Sequence, residues 1–262
     1  MEQNQLLAHI LPARDALKQT RGRGIRPLDG SSDYSFPVIS IIIPAHNEED
    51  YLGATLDGLN RQDYPEYEIV VVANGCRDRT AAIAHRMCHR LVTLSQRNLG
   101  VARNLGARIA NGELLVFLDA DTILEPGALR VIAEEFTEGN AGGTLKGLPD
   151  SDRFAYRLIY WLKNFIHRFV VHNGSSGVIL CWKQDFTRVG GFDEQLELRE
   201  NSDLIRRLKR FGSYRFINTT TATTSMRRYE RRGVKRIVWL WIKLWFFGFF
   251  GDLRGRKYEP VR

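Results

Sequence analysis

The chain has 262 residues with 38 Lys/Arg against 30 Asp/Glu, enough for one large domain with a substantial core, or one domain with an appendage. Its three cysteines, Cys76, Cys88 and Cys181, have neither metal-type spacing nor an even number, which excludes a disulfide scaffold and points to reduced thiols in a cytosolic protein. The formal +8 is local: from Met226 onward eleven Lys/Arg face three Asp/Glu, while the rest of the chain carries 27 of each.

Residues 1–35 read as an N-terminal arm. Met1 to Arg21 lacks the apolar core of a secretory leader. A short amphipathic stretch (Leu6, Leu7, Ile10, Leu11) is expected to be a helix that docks on the body or on a membrane. The glycines of Arg21-Gly-Arg-Gly-Ile-Arg-Pro27 follow no strand and so are no dinucleotide fingerprint. Residues 36–228 then alternate strand and helix. Val38-Ile-Ser-Ile-Ile-Ile-Pro44 is the near-continuous apolar run of a strand covered on both faces. A helix follows Ala45-His-Asn-Glu-Glu-Asp50, whose acidic residues suit a first turn. Tyr67–Ala73 is the second strand, followed by Asn74-Gly-Cys-Arg-Asp-Arg-Thr80 and an alanine-rich helix. A short strand near Leu91–Leu94 leads into Asn98–Ala107, a helix with glycines where backbone must pack closely. The pattern predicts a mostly parallel α/β sheet with right-handed crossovers.

The next strand, Leu114-Leu-Val-Phe-Leu, runs into Asp119-Ala-Asp121. Along an extended chain, positions i and i+2 point the same way, so both carboxylates can grip one hard cation at the strand's carboxyl end. That is where open α/β sheets bind ligands. An isolated Asp-x-Asp is more often a solvated turn; its surroundings favour a site.

Beyond it, Phe154 to Val171 has helical apolar spacing (Phe154, Leu158, Trp161, Leu162, Phe165, Ile166, Phe169) and six aromatics. Its stripe is expected to pack on the sheet, with a lipid-facing wall as the alternative. His172–Gly177 reads as a loop into the strand Val178–Trp182. Residues 229–262 form a basic, aromatic tail. The fourteen residues 237–250 would reach roughly 21 Å as a helix, short of a hydrocarbon core of roughly 30 Å. With indoles and basic flanks they suit an amphipathic helix in the plane of an anionic membrane surface, where each cation adds on the order of 1 kcal/mol, with a core helix folded onto the catalytic domain as the alternative.

The motifs resemble those of a family 2 glycosyltransferase, from the large inverting family with the GT-A fold. The matching pieces, in family order, are Ile41-Ile-Ile-Pro-Ala-His-Asn-Glu48, Val70–Gly75 with Asp78 and Thr80, Asn98-x-Gly100 with Ala102-Arg-Asn104, and Phe117-Leu-Asp-Ala-Asp121. Gly190-Gly-Phe-Asp-Glu194 and Glu200-x-x-Asp-Leu204 with Arg207 complete them. The resemblance implies sugar transfer from a nucleoside diphosphate, with Mg²⁺ or Mn²⁺ held by Asp121 and Asp119. It further implies donor contacts from Pro44, His46, Glu48, Asn74, Arg103, Asp119, Arg227 and Arg228.

Two departures matter. An aspartate pair of the family stands here as Ala73 and Asn74, leaving the base contact uncharged. The family's catalytic Glu-Asp pair stands as Glu200-Asn201, and an amide cannot accept a proton. Glu200 and Asp203 are the remaining base candidates; a lipid phosphate acceptor, already ionised, would need none.

Other classes fit less well. A dehydrogenase wants Gly-x-Gly-x-x-Gly after the first strand, where Pro44-Ala-His-Asn47 stands. An aspartyl phosphatase would place threonine two residues after the second aspartate. A sugar-nucleotide pyrophosphorylase wants a glycine- and arginine-rich first loop. A nucleic-acid binder would not interleave its cations with so apolar a surface. A catalytically impaired, membrane-bound nucleotide-sugar binder remains the alternative. The expected place is cytoplasmic, peripheral on the inner face of the cell membrane, and the expected acceptor is a lipid, a lipid phosphate or another molecule.

Overall fold

The structure, a computed structural model, describes residues 8–12, 37–170, 177–196, 198–234, 236 and 239. The arginine-glycine arm, the loop beginning at His172 and most of the aromatic tail lie outside the described residues.

The frame is a parallel block. Strands β2 (Ile39–Ala45), β3 (Tyr67–Asn74), β4 (Arg90–Leu94) and β5 (Leu114–Leu118) pair in parallel in the order β4-β3-β2-β5. Every residue of β2 and β5 is buried, as apolar runs require when helices cover both faces. Because side chains alternate, Ile39, Ile41 and Ile43 enter one core with Leu52, Leu56 and Leu59 of α1 (Leu52–Asn60). Ile42 enters the other, with Leu115, Phe117, Phe186 and Phe192. The crossovers are α1, α2 (Thr80–Met87) and α3 (Leu99–Ile109). On α3, a Cβ on Gly106 would lie 2.5 Å from Ile42 Cγ2, so glycine is what lets this helix seat on the sheet.

Beyond β5 the sheet is mixed. The remaining elements are β6 (Thr122–Leu124), α4 (Ala128–Glu135), β7 (Asn140–Pro149), α5 (Phe154–Phe165), β8 (Val178–Trp182), α6 (Lys183–Arg188), α7 (Glu200–Leu208), β9 (Ser213–Thr224) and α8 (Arg227–Arg232). β8 runs antiparallel to β5 and β7, and β9 is parallel to β7 and antiparallel to β6. β7 and β9 were not foreseen from the sequence.

Two further expectations change. The stretch around Ile10 is not a helix: Ala8–Pro12 is a strand, β1, antiparallel to β4. It satisfies the backbone groups that an open edge would leave unpaired. The stripe of α5 does not pack on the sheet either. Phe154, Leu158, Trp161, Leu162, Phe165 and Phe169 are 44–79% exposed. The helix instead buries Tyr156 and Tyr160 against Met226 and Tyr229, and the Asn164 amide bonds both Gly147 N and Gly147 O.

Candidate active site at the carboxyl ends of β2, β3 and β5

β5 ends at Leu118, so the acidic pair lies on a turn rather than on the strand as the alternation argument expected. Thr122 N donates to Asp119 O at 3.1 Å, which closes that turn. The buried Thr55 hydroxyl of α1 donates to Ala120 O at 2.9 Å, pinning the residue between the carboxylates. Ser225 N donates to Asp121 O, bringing the end of β9 to the same place.

Arg227 crosses to this turn from α8. Its Nη2 lies 2.6 Å from Glu48 Oε1 and 3.0 Å from Asp121 Oδ2, and its guanidinium stacks 4.2 Å from the centre of the Tyr51 ring. Arg103 approaches from α3. It is 3% exposed, and it donates to Glu200 Oε1 at 3.1 Å, Asn201 Oδ1 at 2.7 Å and Asp119 Oδ1 at 3.3 Å. Two arginines thus bind four carboxylates drawn from three segments of the chain.

The cluster carries excess negative charge. Burial, then the neighbouring Asp119, push Asp121 up to about 6, with Arg227 opposing and Glu48 adding to the rise. Arg228 is exposed on α8, yet lies near enough to favour the charged form of Asp121. Burial also raises Glu200 above the usual carboxylate range, against the pull of Arg103. Glu48 Oε2 is buried without a hydrogen-bond partner, a polar atom that only a ligand or water could satisfy.

The other expected residues are placed as follows. Pro44 sits inside β2 opposite Val72. His46 Nδ1 lies 2.7 Å from Asn74 O; a carbonyl only accepts, so Nδ1 is the donor. Asn74 is 2% exposed, and its Oδ1 accepts from Asn98 N at 2.8 Å, tying β3 to the start of α3. Asp203 faces Arg206 and Arg207, each 2.8 Å away. Burial pushes its carboxyl up, but these two arginines reverse that and hold it below the ordinary range. The site therefore gathers Glu48, Asp119, Asp121, Arg103, Glu200 and Arg227, while Asp203 is held by its own arginine pair.

The residues that brace this site are ones that sequence reasoning missed. Asn98 caps α3 by accepting from Val101 N at 3.0 Å and donates to Glu194 O. Asn104 accepts from Phe192 N at 2.8 Å and donates to Phe192 O at 2.9 Å. Gly191 has φ +72°, and a Cβ there would lie 2.6 Å from Asn104 Oδ1. Together they strap the 190–194 loop to α3, and the Phe192 ring sits 4.9 Å below the Arg103 guanidinium. Asp78, although burial pushes it up, is held low by hydrogen bonds from the Thr80 hydroxyl and from the Thr80 and Glu49 backbones. Their only signal in the sequence is that they fall within the matched motifs.

Comparisons with known proteins agree with this architecture. The chain is 33% identical over 108 residues to glycosyltransferase GlyA of Streptococcus pneumoniae, covering 39% of this chain and 16% of that protein. It is 23% identical over 209 residues to chondroitin synthase of Pasteurella multocida, covering 75% of this chain and 21% of the synthase. The chain thus spans well under a third of these two relatives. Among solved structures, the mannosyltransferase PcManGT of Pyrobaculum calidifontis, in complex with GDP-Man and Mn²⁺, superposes with a TM-score of 0.59 at 20% identity. That match covers 76% of this chain and 60% of the other. S. aureus TarS 1-349 superposes at 0.58 and 18% identity, over 71% and 60% respectively. The fold is that of the GT-A glycosyltransferases. The sequence model of glycosyl transferase family 2 matches residues 40–183, more than half of the chain, and the chain belongs to that family.

Proposed function

We propose that this chain transfers a sugar from a nucleoside diphosphate to a lipid-linked acceptor, with inversion at the anomeric carbon and dependence on Mg²⁺ or Mn²⁺. The observation that carries the reading is the acidic turn at the end of β5, faced by Arg227 and Arg103. The donor set suits a hard divalent ion: Asp119 and Asp121 offer carboxylate oxygens and repel each other. Among the described residues no three His, Cys, Asp or Glu side chains form a ready-made cage. The pair would therefore rely on diphosphate oxygens and water, as Mg²⁺ sites commonly do. When bound, the cation supplies Lewis-acid stabilisation of the diphosphate leaving group.

The chain's own residues do the rest. Arg227 and Arg228 meet the diphosphate, whose charge grows as its bond to the anomeric carbon breaks. The orphaned Glu48 Oε2 accepts a hydroxyl or N–H of the donor. The acceptor oxygen attacks the anomeric carbon from the opposite face. If that oxygen is a hydroxyl, its proton passes to Glu200, whose buried carboxylate is a stronger base than an exposed one. If it belongs to a lipid phosphate, no proton needs to move, and Asn201 in place of an aspartate is no loss. GDP-Man, UDP and UDP-GlcNAc, named for the solved relatives, are the first donors to try. The basic surplus after Met226 supports a peripheral location on the cytoplasmic face of a membrane.

A second reading, a nucleotide-sugar binder without catalysis, draws on Asn201, whose Oδ1 is held by Arg103 at 2.7 Å. Turnover of UDP- and GDP-sugars with Mn²⁺, Mg²⁺ or EDTA, against a lipid phosphate and a lipid alcohol, separates the two. Cation-dependent transfer supports the enzyme, and Asn201→Asp is then expected to help the alcohol but not the phosphate. Binding without turnover favours the second reading, and no binding of any donor refutes both.

A further inference from the structure

The outer side of α5 is the feature that the site leaves unused. Six of the nine exposed large hydrophobic residues among those described fall between positions 154 and 169. At about 100° per residue they occupy roughly 100° of arc on one side of the helix, which continues through a π-turn at Ile166–Val170. Trp161, Phe165 and Phe169 form an open ladder, with ring centres 5.9 and 5.2 Å apart. A continuous stripe of this kind on a protein surface marks a binding face rather than stray exposure.

We infer that this outer face of α5 and its π-turn lies against an anionic lipid bilayer. Charge picks the occupant. Residues 154–170 contain no Asp or Glu, and Arg157 and Arg168 are exposed beside the stripe. The Arg168 guanidinium sits 5.0 Å from the centre of the Phe169 ring. Indole and phenyl rings with arginines at their margin match the boundary between acyl chains and anionic headgroups. No described helix is long and apolar enough to cross a membrane, so the helix lies in the interface plane. The opposite side of the same helix reaches the catalytic turn: Tyr160 feels the charges of Asp121 and Asp119, and it packs with Tyr156 on Met226 and Tyr229. With the bilayer on its outer side, α5 would separate lipid from the elements around the acidic pair, and a lipid-linked acceptor would approach the site past this helix. The inference rests on the proposed lipid-linked acceptor only for that purpose; docking is measured apart from transfer.

The test uses the full chain and flotation with phosphatidylcholine vesicles, with and without phosphatidylglycerol. The parent is expected to float with the anionic vesicles. The double variant Trp161→Asp/Phe165→Asp should lose partitioning by about tenfold or more, while Trp161→Leu/Phe165→Leu stays within about threefold. Unchanged circular dichroism and unchanged donor turnover without vesicles show that the variants fold. Equal flotation of the parent and the double-Asp chain overturns the inference, because the tail alone then docks. Failure of the parent to float overturns it too, and a parent dimer that the Asp variant breaks assigns the face to a second copy. Vesicle docking without sugar turnover leaves this inference standing while the proposed activity fails.

Discussion

Replacing Asp121 by asparagine is expected to stabilise the protein and abolish its activity. The carboxylate is 16% exposed and is pushed from 3.8 to about 6 by burial and by Asp119. Two units at about 1.4 kcal/mol each put the penalty on the charged form near 3 kcal/mol. The native state holds its proton more tightly than the unfolded chain, so stability from this group falls as pH rises. The penalty is absent below about pH 4, half developed near pH 5 and complete above about pH 7. The amide carries no charge, and Arg227 keeps Glu48 at 2.6 Å, so no cation is stranded. In EDTA at pH 8, urea unfolding should show Asp121→Asn to be more stable by about 1–3 kcal/mol, with the gap shrinking by about 1.4 kcal/mol at pH 5. Saturating Mn²⁺ and donor should reverse the order, because ligands that bind only the native state stabilise it. Transfer should fall at least about a hundredfold. A variant less stable than the parent at pH 8, or a gap independent of pH, would refute the crowding of charge on which the site rests.

Arg103→Met should cost about 3–5 kcal/mol in urea unfolding, since it leaves Glu200 buried without its cation. Lysine should not restore this, because one ammonium cannot span Glu200, Asn201 and Asp119 as the guanidinium does. Glu200→Gln should leave donor affinity intact by titration and lower transfer to a hydroxyl acceptor roughly 10²–10⁴-fold, with transfer to a phosphate acceptor unchanged. Gly191→Ala should lower the melting temperature, at a cost of about 1–3 kcal/mol, because its Cβ would displace Asn104 Oδ1 from the Phe192 backbone.

The parallel half of the fold was legible because β2, β3 and β5 are apolar on both faces, a pattern that few other environments select. The other half was hidden for physical reasons. β7 reads Asn-Ala-Gly-Gly-Thr, and a Cβ on its glycine at 143 would lie 2.7 Å from the Arg215 carbonyl of β9 and 3.0 Å from the Phe136 ring; close approach removes the very side chains that would signal a strand. β9 is largely threonine after Ile217, with no alternation between apolar and polar to fix its faces. β1 was misread because Leu6, Leu7, Ile10 and Leu11 suit helical spacing, while the open edge of β4 decides the outcome. The stripe of α5 was correctly found and wrongly faced, since spacing shows that apolar residues share a side but not what that side meets. At the site, residue types located the acidic turn, Arg103 and Arg227. They could not reveal that Asp203 would be held by Arg206 and Arg207, which only the turns of α7 bring about.

The guanidinium that bridges Glu48 and Asp121 comes from a residue 179 positions downstream of Glu48. The family's shared stretch, residues 40–183, therefore holds Glu48, Asp119 and Asp121 together with Arg103, but not the Arg227 that bridges Glu48 and Asp121. A graft of that stretch alone onto another scaffold would carry Glu48 and Asp121 without the cation that bridges them. The segment after β9 is thus part of the site's electrical design, and a change at Arg227 would alter the charge balance of the acidic turn without altering a single acidic residue.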